Sequence, residues 1–165
     1  MLPSAVREAR ELLEIVTPLC SDCGAVCGGA CCHSLPGDTT GMLLFPGEEA
    51  YYAGRPGSRM TATEQGTLLT CEGRCDRTDR PLSCRMFPLL PLMRPDGVKV
   101  ATDQRALAVC PLARQGKDAL QQDFVQAVRQ VGRILSQDEE QAAFLRRLTA
   151  IHDELKALRR QFRSR

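Results

Sequence analysis

Five cysteines fall within thirteen residues, Cys20, Cys23, Cys27, Cys31 and Cys32, and four more follow at Cys71, Cys75, Cys84 and Cys110. Nothing else in the 165-residue chain restricts its folding as much, because nine thiols must be paired, buried or given to a metal. Pairing needs an oxidising compartment. The opening residues, Met1 to Ser4 followed by Arg7, Glu8, Arg10 and Glu11, carry charge where a secretion signal needs an apolar stretch. No apolar run approaches the roughly 20 residues that cross a bilayer, and nine is an odd number of partners. The sequence therefore predicts a cytoplasmic protein with reduced thiols that act as ligands or redox groups, and a disulfide scaffold is the lesser alternative.

The spacing favours ligands. Cys20-Ser-Asp-Cys23-Gly24 has the form of a metal knuckle, in which two intervening residues let one turn present both sulfurs to one ion. Gly24 is expected to take a positive backbone angle there, aiming amide N–H groups at sulfur. Cys27-Gly-Gly-Ala leads to the adjacent pair Cys31-Cys32, which serve different metals, or one binds while the other packs. Cys71-x3-Cys75, Cys84 and Cys110 complete the set. A lone thiol such as Cys110 can equally be a small buried apolar residue, but a run of five in a glycine-rich loop is not explained that way. The knuckle favours zinc or a single iron. All-sulfur ligation, without a second suitable histidine, fits a 4Fe–4S cluster equally well.

Two blocks carry a resemblance. The first runs from Cys20-x2-Cys23-Gly to Cys31-Cys32. The second is Cys75-Asp-Arg-Thr-Asp-Arg-Pro-Leu-Ser-Cys84-Arg85-Met-Phe87-Pro88, with Cys110-Pro111 behind it. Together they resemble the bacterial YkgJ-like cysteine-cluster family, a zinc- or iron-chelating domain of the CxxCxxCC type, over about residues 20–112. This chain departs from that signature by inserting Cys27 and extra glycines before the pair. The resemblance implies a ligand core of Cys23, Cys31, Cys32, Cys75, Cys84 and Cys110, with Cys20, Cys27 and Cys71 as a second tier. It also implies an iron–sulfur cluster ahead of Zn2+, since relatives include a flagellin lysine methylase that carries such a cluster.

Around the cysteines the chain divides into three zones of a single domain, residues 1–165. A helix is expected over about residues 4–16, capped by Ser4, with Val6, Ala9, Leu12, Leu13 and Val16 on one face and Pro18 closing it. The middle, 20–112, holds most of the prolines and glycines and reads as strands, turns and loops. Met42 to Phe45 and Thr67 to Thr70 are candidate strands, the second delivering Cys71. Met86 to Met93 and Val98 to Ala101 form a hairpin across Arg94-Pro95-Asp96-Gly97, with Pro88 and Pro91 restricting it to an edge. So few regular elements would bury little apolar surface, which makes a metal crosslink the expected remedy and couples binding to folding. The last zone, 117–163, is a helical hairpin. Leu120, Phe124, Ala127, Val128, Val131, Ile134 and Leu135 stripe its first helix. A Ser136-Gln-Asp-Glu139 capping box opens the second, whose stripe runs from Ala143 and Phe144 through Leu148, Ile151, Leu155 and Leu158 to Phe162. The expected fold is small, irregular α+β: a cysteine-stapled, loop-rich centre with short strands, clamped by an N-terminal helix and a C-terminal hairpin packed on it.

Other residues are weaker candidates. His33 beside the cysteine pair reads as a loop histidine or a ligand, and His152 as an ordinary helix residue. Arg80 and Arg85 would offset the negative charge of a tetrathiolate, bind an anionic substrate, or hold loop carbonyls. Glu48, Glu49, Tyr51 and Tyr52 begin a short helix near the cluster. The basic tail after residue 145 is a solvated face. A formal charge of +2 and 4% aromatic residues argue against nucleic acid or a membrane as partner. No nucleotide loop or nucleophile motif marks an independent enzyme. A metal-binding protein, with a protein partner as a further expectation, leads over a cluster-dependent enzyme or accessory in protein modification or electron transfer, and over a thiol redox sensor.

Overall fold

The computed structural model describes residues 1–32, 41–73 and 76–163, with Cys32 by its backbone alone. Helix α1, Ser4–Leu12, buries Val6 and Ala9 completely and leads to the equally buried Leu13. Two details of the expected helix change. Pro3 precedes the first turn and no side chain caps it, so Ser4 is a helical residue rather than the cap. The helix also stops at Leu12 instead of Val16, and Leu12 is 38% exposed rather than on the buried face. The chain after the helix is held from across the molecule: the Arg77 guanidinium donates to the carbonyls of Leu13 (2.8 Å), Glu14 (2.9 Å) and Val16.

The middle zone contains more regular structure than its prolines suggest. After α2, Cys23–Cys27, and a 3-10 turn at Ala30–Cys32 come β1, Met42–Leu43, and α3, Glu49–Tyr52. Strands β2, Ser58–Thr63, and β3, Gly66–Cys71, then pair along their full lengths, giving an antiparallel sheet in the order β1-β3-β2. Strand β3 delivers Cys71 as expected, whereas β2 was not read from the sequence. Met86 ends a further helix, α4, Leu82–Met86, instead of starting a strand. The expected hairpin follows as β4, Leu89–Arg94, and β5, Gly97–Thr102, with Pro91 opposite Val100. In a two-stranded ribbon each strand has an open edge, where the missing N–H of Pro91 costs nothing.

Helix α5, Gln122–Leu135, starts after a 3-10 turn at Lys117–Ala119, so its first turn lies later than residue 117. Its buried face is the predicted one, with Phe124, Val128, Val131 and Leu135 all fully buried. Gly132 is required here: a Cβ would sit 2.6 Å from Val98 Cγ1 and 2.7 Å from Pro91 Cβ, so only glycine lets α5 lie directly on the ribbon. Helix α6, Glu139–Arg163, is capped by Asp138, whose Oδ1 accepts from Gln141 N at 3.1 Å. Ser136, expected as the cap, instead donates to the Arg133 carbonyl (2.7 Å) and closes α5.

These elements share one apolar cluster, in which Val6 and Leu13 meet Phe45, Leu82, Met86, Leu89, Val100, Phe124, Leu135, Phe144 and Leu145. The middle zone therefore buries more apolar surface than expected and supplies a large part of the core. Helices α5 and α6 both lie on β4, but α1 packs mainly against α5, so the hairpin as a whole does not sit on the first helix. The stripe on α6 is covered through Leu148 and is open at Leu158 (44% exposed) and Phe162 (77%). No helix among the described residues is long and apolar enough to cross a membrane.

Candidate metal centre

The first cysteine block is built on α2. Asp22 caps it, its Oδ1 accepting from Gly24 N (3.4 Å) while its carbonyl accepts from Ala25 N (3.0 Å). Cys23 and Cys27 open and close the helix, four residues apart and so on one face. Gly24 lies inside this helix and not at a positive angle, which corrects the knuckle expectation. The left-handed residues come later: Gly28 (φ +67°) and Gly29 (φ +71°) end α2 and turn the chain into the 3-10 segment carrying Cys31. Cys20 is exposed in the bend ahead of the helix, and Cys31 is also exposed.

Helix α2 buries none of its own residues. It is tied down by Arg80, whose Nη1 and Nη2 each donate to one oxygen of Asp22 at 3.1 Å. Arg80 belongs to the segment between Cys75 and Cys84, so this fork joins the two cysteine blocks. The segment is itself fastened by guanidinium groups. Buried Arg85 gives its three nitrogens to the carbonyls of Arg80 (3.0 Å), Arg10 (3.1 Å) and Thr78 (2.7 Å). Arg10 donates to Glu48 Oε1 (3.0 Å), Tyr52 Oη (2.9 Å) and the Thr78 carbonyl (3.2 Å), and Tyr52 Oη donates to the Asp79 carbonyl (2.7 Å). Glu48, fully buried, also accepts from Phe45 N and from Leu82 N, the first amide of α4. Its carboxylate thereby positions the helix that carries Cys84.

The expected roles of the arginines shift accordingly. Arg85 donates to loop carbonyls, one of the readings given to it. Arg77 and Arg80 are the two cations in electrostatic reach of Cys23. Arg77 was not read from the sequence, nor was Arg10 or Asp22. Two arginines in the gap between Cys75 and Cys84, and an Asp directly before Cys23, were the available signals.

Cys23 also lies within electrostatic reach of Cys27 and of Cys110, which follows β5 in the chain. Burial pushes the Cys23 thiol up, Asp22, Cys27 and Cys110 add to that, and Arg80 opposes it. Arg80 in turn holds the Asp22 carboxyl below the usual range. Cys110 is 8% exposed and packs with Phe87, Ala106 and Ala113, so it satisfies the apolar reading. Cys71 packs on the Leu44, Tyr52 and Leu69 cluster, and Cys84 is in electrostatic reach of the Tyr52 phenol. Burial raises the Tyr52 phenol, and it raises the Glu48 carboxyl against the pull of Leu82 N, Phe45 N and Arg10.

Among the described residues, no three His, Cys, Asp or Glu side chains converge as a finished metal cage. The Cys32 side chain, His33 and Cys75, which the sequence places in the set, lie outside the described residues. The donor chemistry nonetheless suits a soft metal: two thiols on one helical face, a third in electrostatic reach of the first, and two guanidinium groups to offset thiolate charge. Comparisons with protein-family models, curated proteins and solved structures gave no match for this chain.

Proposed function

We propose that this protein binds a metal through its clustered cysteine thiolates, an iron–sulfur cluster first and zinc second. The observation that carries the reading is that Cys23 and Cys27 share one face of α2, with Cys110, drawn from a distant part of the chain, and with Arg77 and Arg80 in electrostatic reach of Cys23. Cys110, which as a lone thiol could equally be a small buried apolar residue, is in electrostatic reach of the first block, and that supports its place in the ligand core. Cys31, Cys32, Cys75 and Cys84 complete the proposed ligand set, and the resemblance of the two blocks to a metal-chelating family supports the same choice. A bound cluster would supply one-electron chemistry, and zinc would supply a crosslink.

The thiol redox sensor is the weaker alternative. A sensor works through a thiol whose pKa is lowered, whereas burial raises that of Cys23. A raised thiol is deprotonated by the ligation event itself, since metals take the thiolate.

Anaerobic purification followed by an absorbance spectrum and elemental analysis of the same sample tests the proposal. Brown protein with iron and acid-labile sulfide supports the cluster, and colourless protein with stoichiometric zinc supports the crosslink. Protein that takes up neither metal, with its thiols titratable, overturns the proposal.

A further inference from the structure

Helix α2 presents a physical problem. A five-residue helix is far below the length that is stable alone, and this one has no fully buried residue, with Cys23 and Cys27 half-buried. Apolar packing therefore contributes little to holding it, yet it carries two of the proposed ligands. The metal is one remaining source of order; side-chain ties are the other. Asp22 is placed to act as such a tie because it serves two roles at once, capping α2 at Gly24 N and receiving both arms of Arg80. Bidentate guanidinium–carboxylate pairs fix orientation as well as distance. Arg80 is itself anchored, since its carbonyl is held by Arg85 and its neighbour Arg77 grips the carbonyls after α1. A continuous polar framework thus runs from α1 through residues 77–85 to the first turn of α2, and none of its members is a cysteine.

Resting on the metal-binding reading above, we infer that Asp22 and Arg80 are positioning residues: their ion pair docks the Cys23–Cys27 helix onto the segment leading to Cys84 whether or not metal is bound, so the site is preformed. This reverses the expectation that metal binding and folding are one event. Asp22 acts through α2 and Arg80 and touches no metal itself.

The test uses full-length protein treated with a chelator, then titrated with cobalt(II) alone. In the treated wild type, the amides within Cys23–Cys27 exchange with solvent measurably slower than an unstructured segment. Asp22→Ala raises those rates by about tenfold or more, leaves the amides of α5 unchanged, and weakens cobalt binding about 10- to 100-fold, the range for residues that orient ligands. Asp22→Glu, which keeps the charge, recovers most of the affinity. The inference is overturned if the chelator-treated wild type exchanges across α2 at unstructured rates, because metal then supplies the order. It is equally overturned if Asp22→Ala changes neither exchange nor affinity. Wild-type protein that binds no cobalt removes the metal reading by itself; the exchange rates of wild type and variant still decide whether the tie positions α2.

Discussion

Two regions of this molecule solve the same problem with opposite chemistry. The half made of α1, the β4–β5 ribbon, α5 and α6 is held by apolar contact, with Val6, Leu13, Phe124, Val128, Val131, Leu135 and Leu145 at most 1% exposed. The half that carries the cysteines is held by guanidinium groups, with Arg10, Arg77, Arg80 and Arg85 bonded to carbonyls and carboxylates. Apolar burial is non-directional and tolerates adjustment, so it suits a frame. Hydrogen-bonded arginines fix loops in one arrangement, because a buried donor or acceptor left unsatisfied costs about 1–3 kcal/mol. A metal site built from loops needs the second kind of order.

The comparison is broken most forcefully from the apolar side. Phe124→Ala removes a fully buried ring at the centre of the shared core and should cost about 3–5 kcal/mol, read as a lower urea midpoint. Metal content per folded molecule should stay at the wild-type value. If metal is lost in proportion to stability, the two halves are one unit and the distinction fails.

Arg10→Met tests the polar side, with a cost of about 3 kcal/mol, the lower end for breaking a buried pair. It leaves the fully buried Glu48 without its cation and removes the donor to Thr78 and Tyr52. Here metal content should fall as well, because residues 78–82 lose their hold and α4 carries Cys84. Glu48→Gln in the Arg10→Met background should recover part of the stability by removing the stranded charge, and a cycle over both variants measures the coupling. Unchanged metal content in Arg10→Met would confine the network to stability.

The same contrast explains what the sequence disclosed. Apolar periodicity is a long-range pattern on a single element, so the α5 stripe, the β4–β5 hairpin and β3 could all be read directly. The arginine framework has no such pattern. Arg10 meets Glu48 and Arg77 meets Glu14 across 38 and 63 residues, and nothing local in either partner announces the other. The short α4 escaped for a related reason: five residues are too few to show a helical period, and its first amide is satisfied by Glu48 from another segment. Cap assignments failed by one or two residues where competing acceptors stood side by side, as with Ser136 and Asp138. The cysteine spacing gave no sign that Cys110 lies in electrostatic reach of Cys23, or that Cys71 packs on Tyr52, because those neighbours come from distant parts of the chain.

The smallest expected effect probes the one ionisable side chain that the apolar half encloses without full compensation. His152, read from the sequence as an ordinary helix residue, is 2% exposed on α6, and its Nδ1 has no hydrogen-bond partner. Burial holds the imidazole below its ordinary value; Asp103 and Asp153 pull upward, while Lys156 and Arg94 add to the depression. The unfolded chain therefore binds a proton, as pH falls through about 6.5, that the folded protein refuses until lower pH. Linkage then requires the contribution of His152 to be intact above that pH and to decline as pH falls toward the folded-state value. The slope attributable to one such group is at most about 1.4 kcal/mol per pH unit. Urea unfolding of wild type and His152→Gln between pH 7.5 and 5 isolates it, because carboxylates and thiols titrate alike in both proteins. A flatter profile in the variant establishes the buried neutral imidazole. Parallel profiles would mean that His152 protonates in place, with Asp103 compensating its charge.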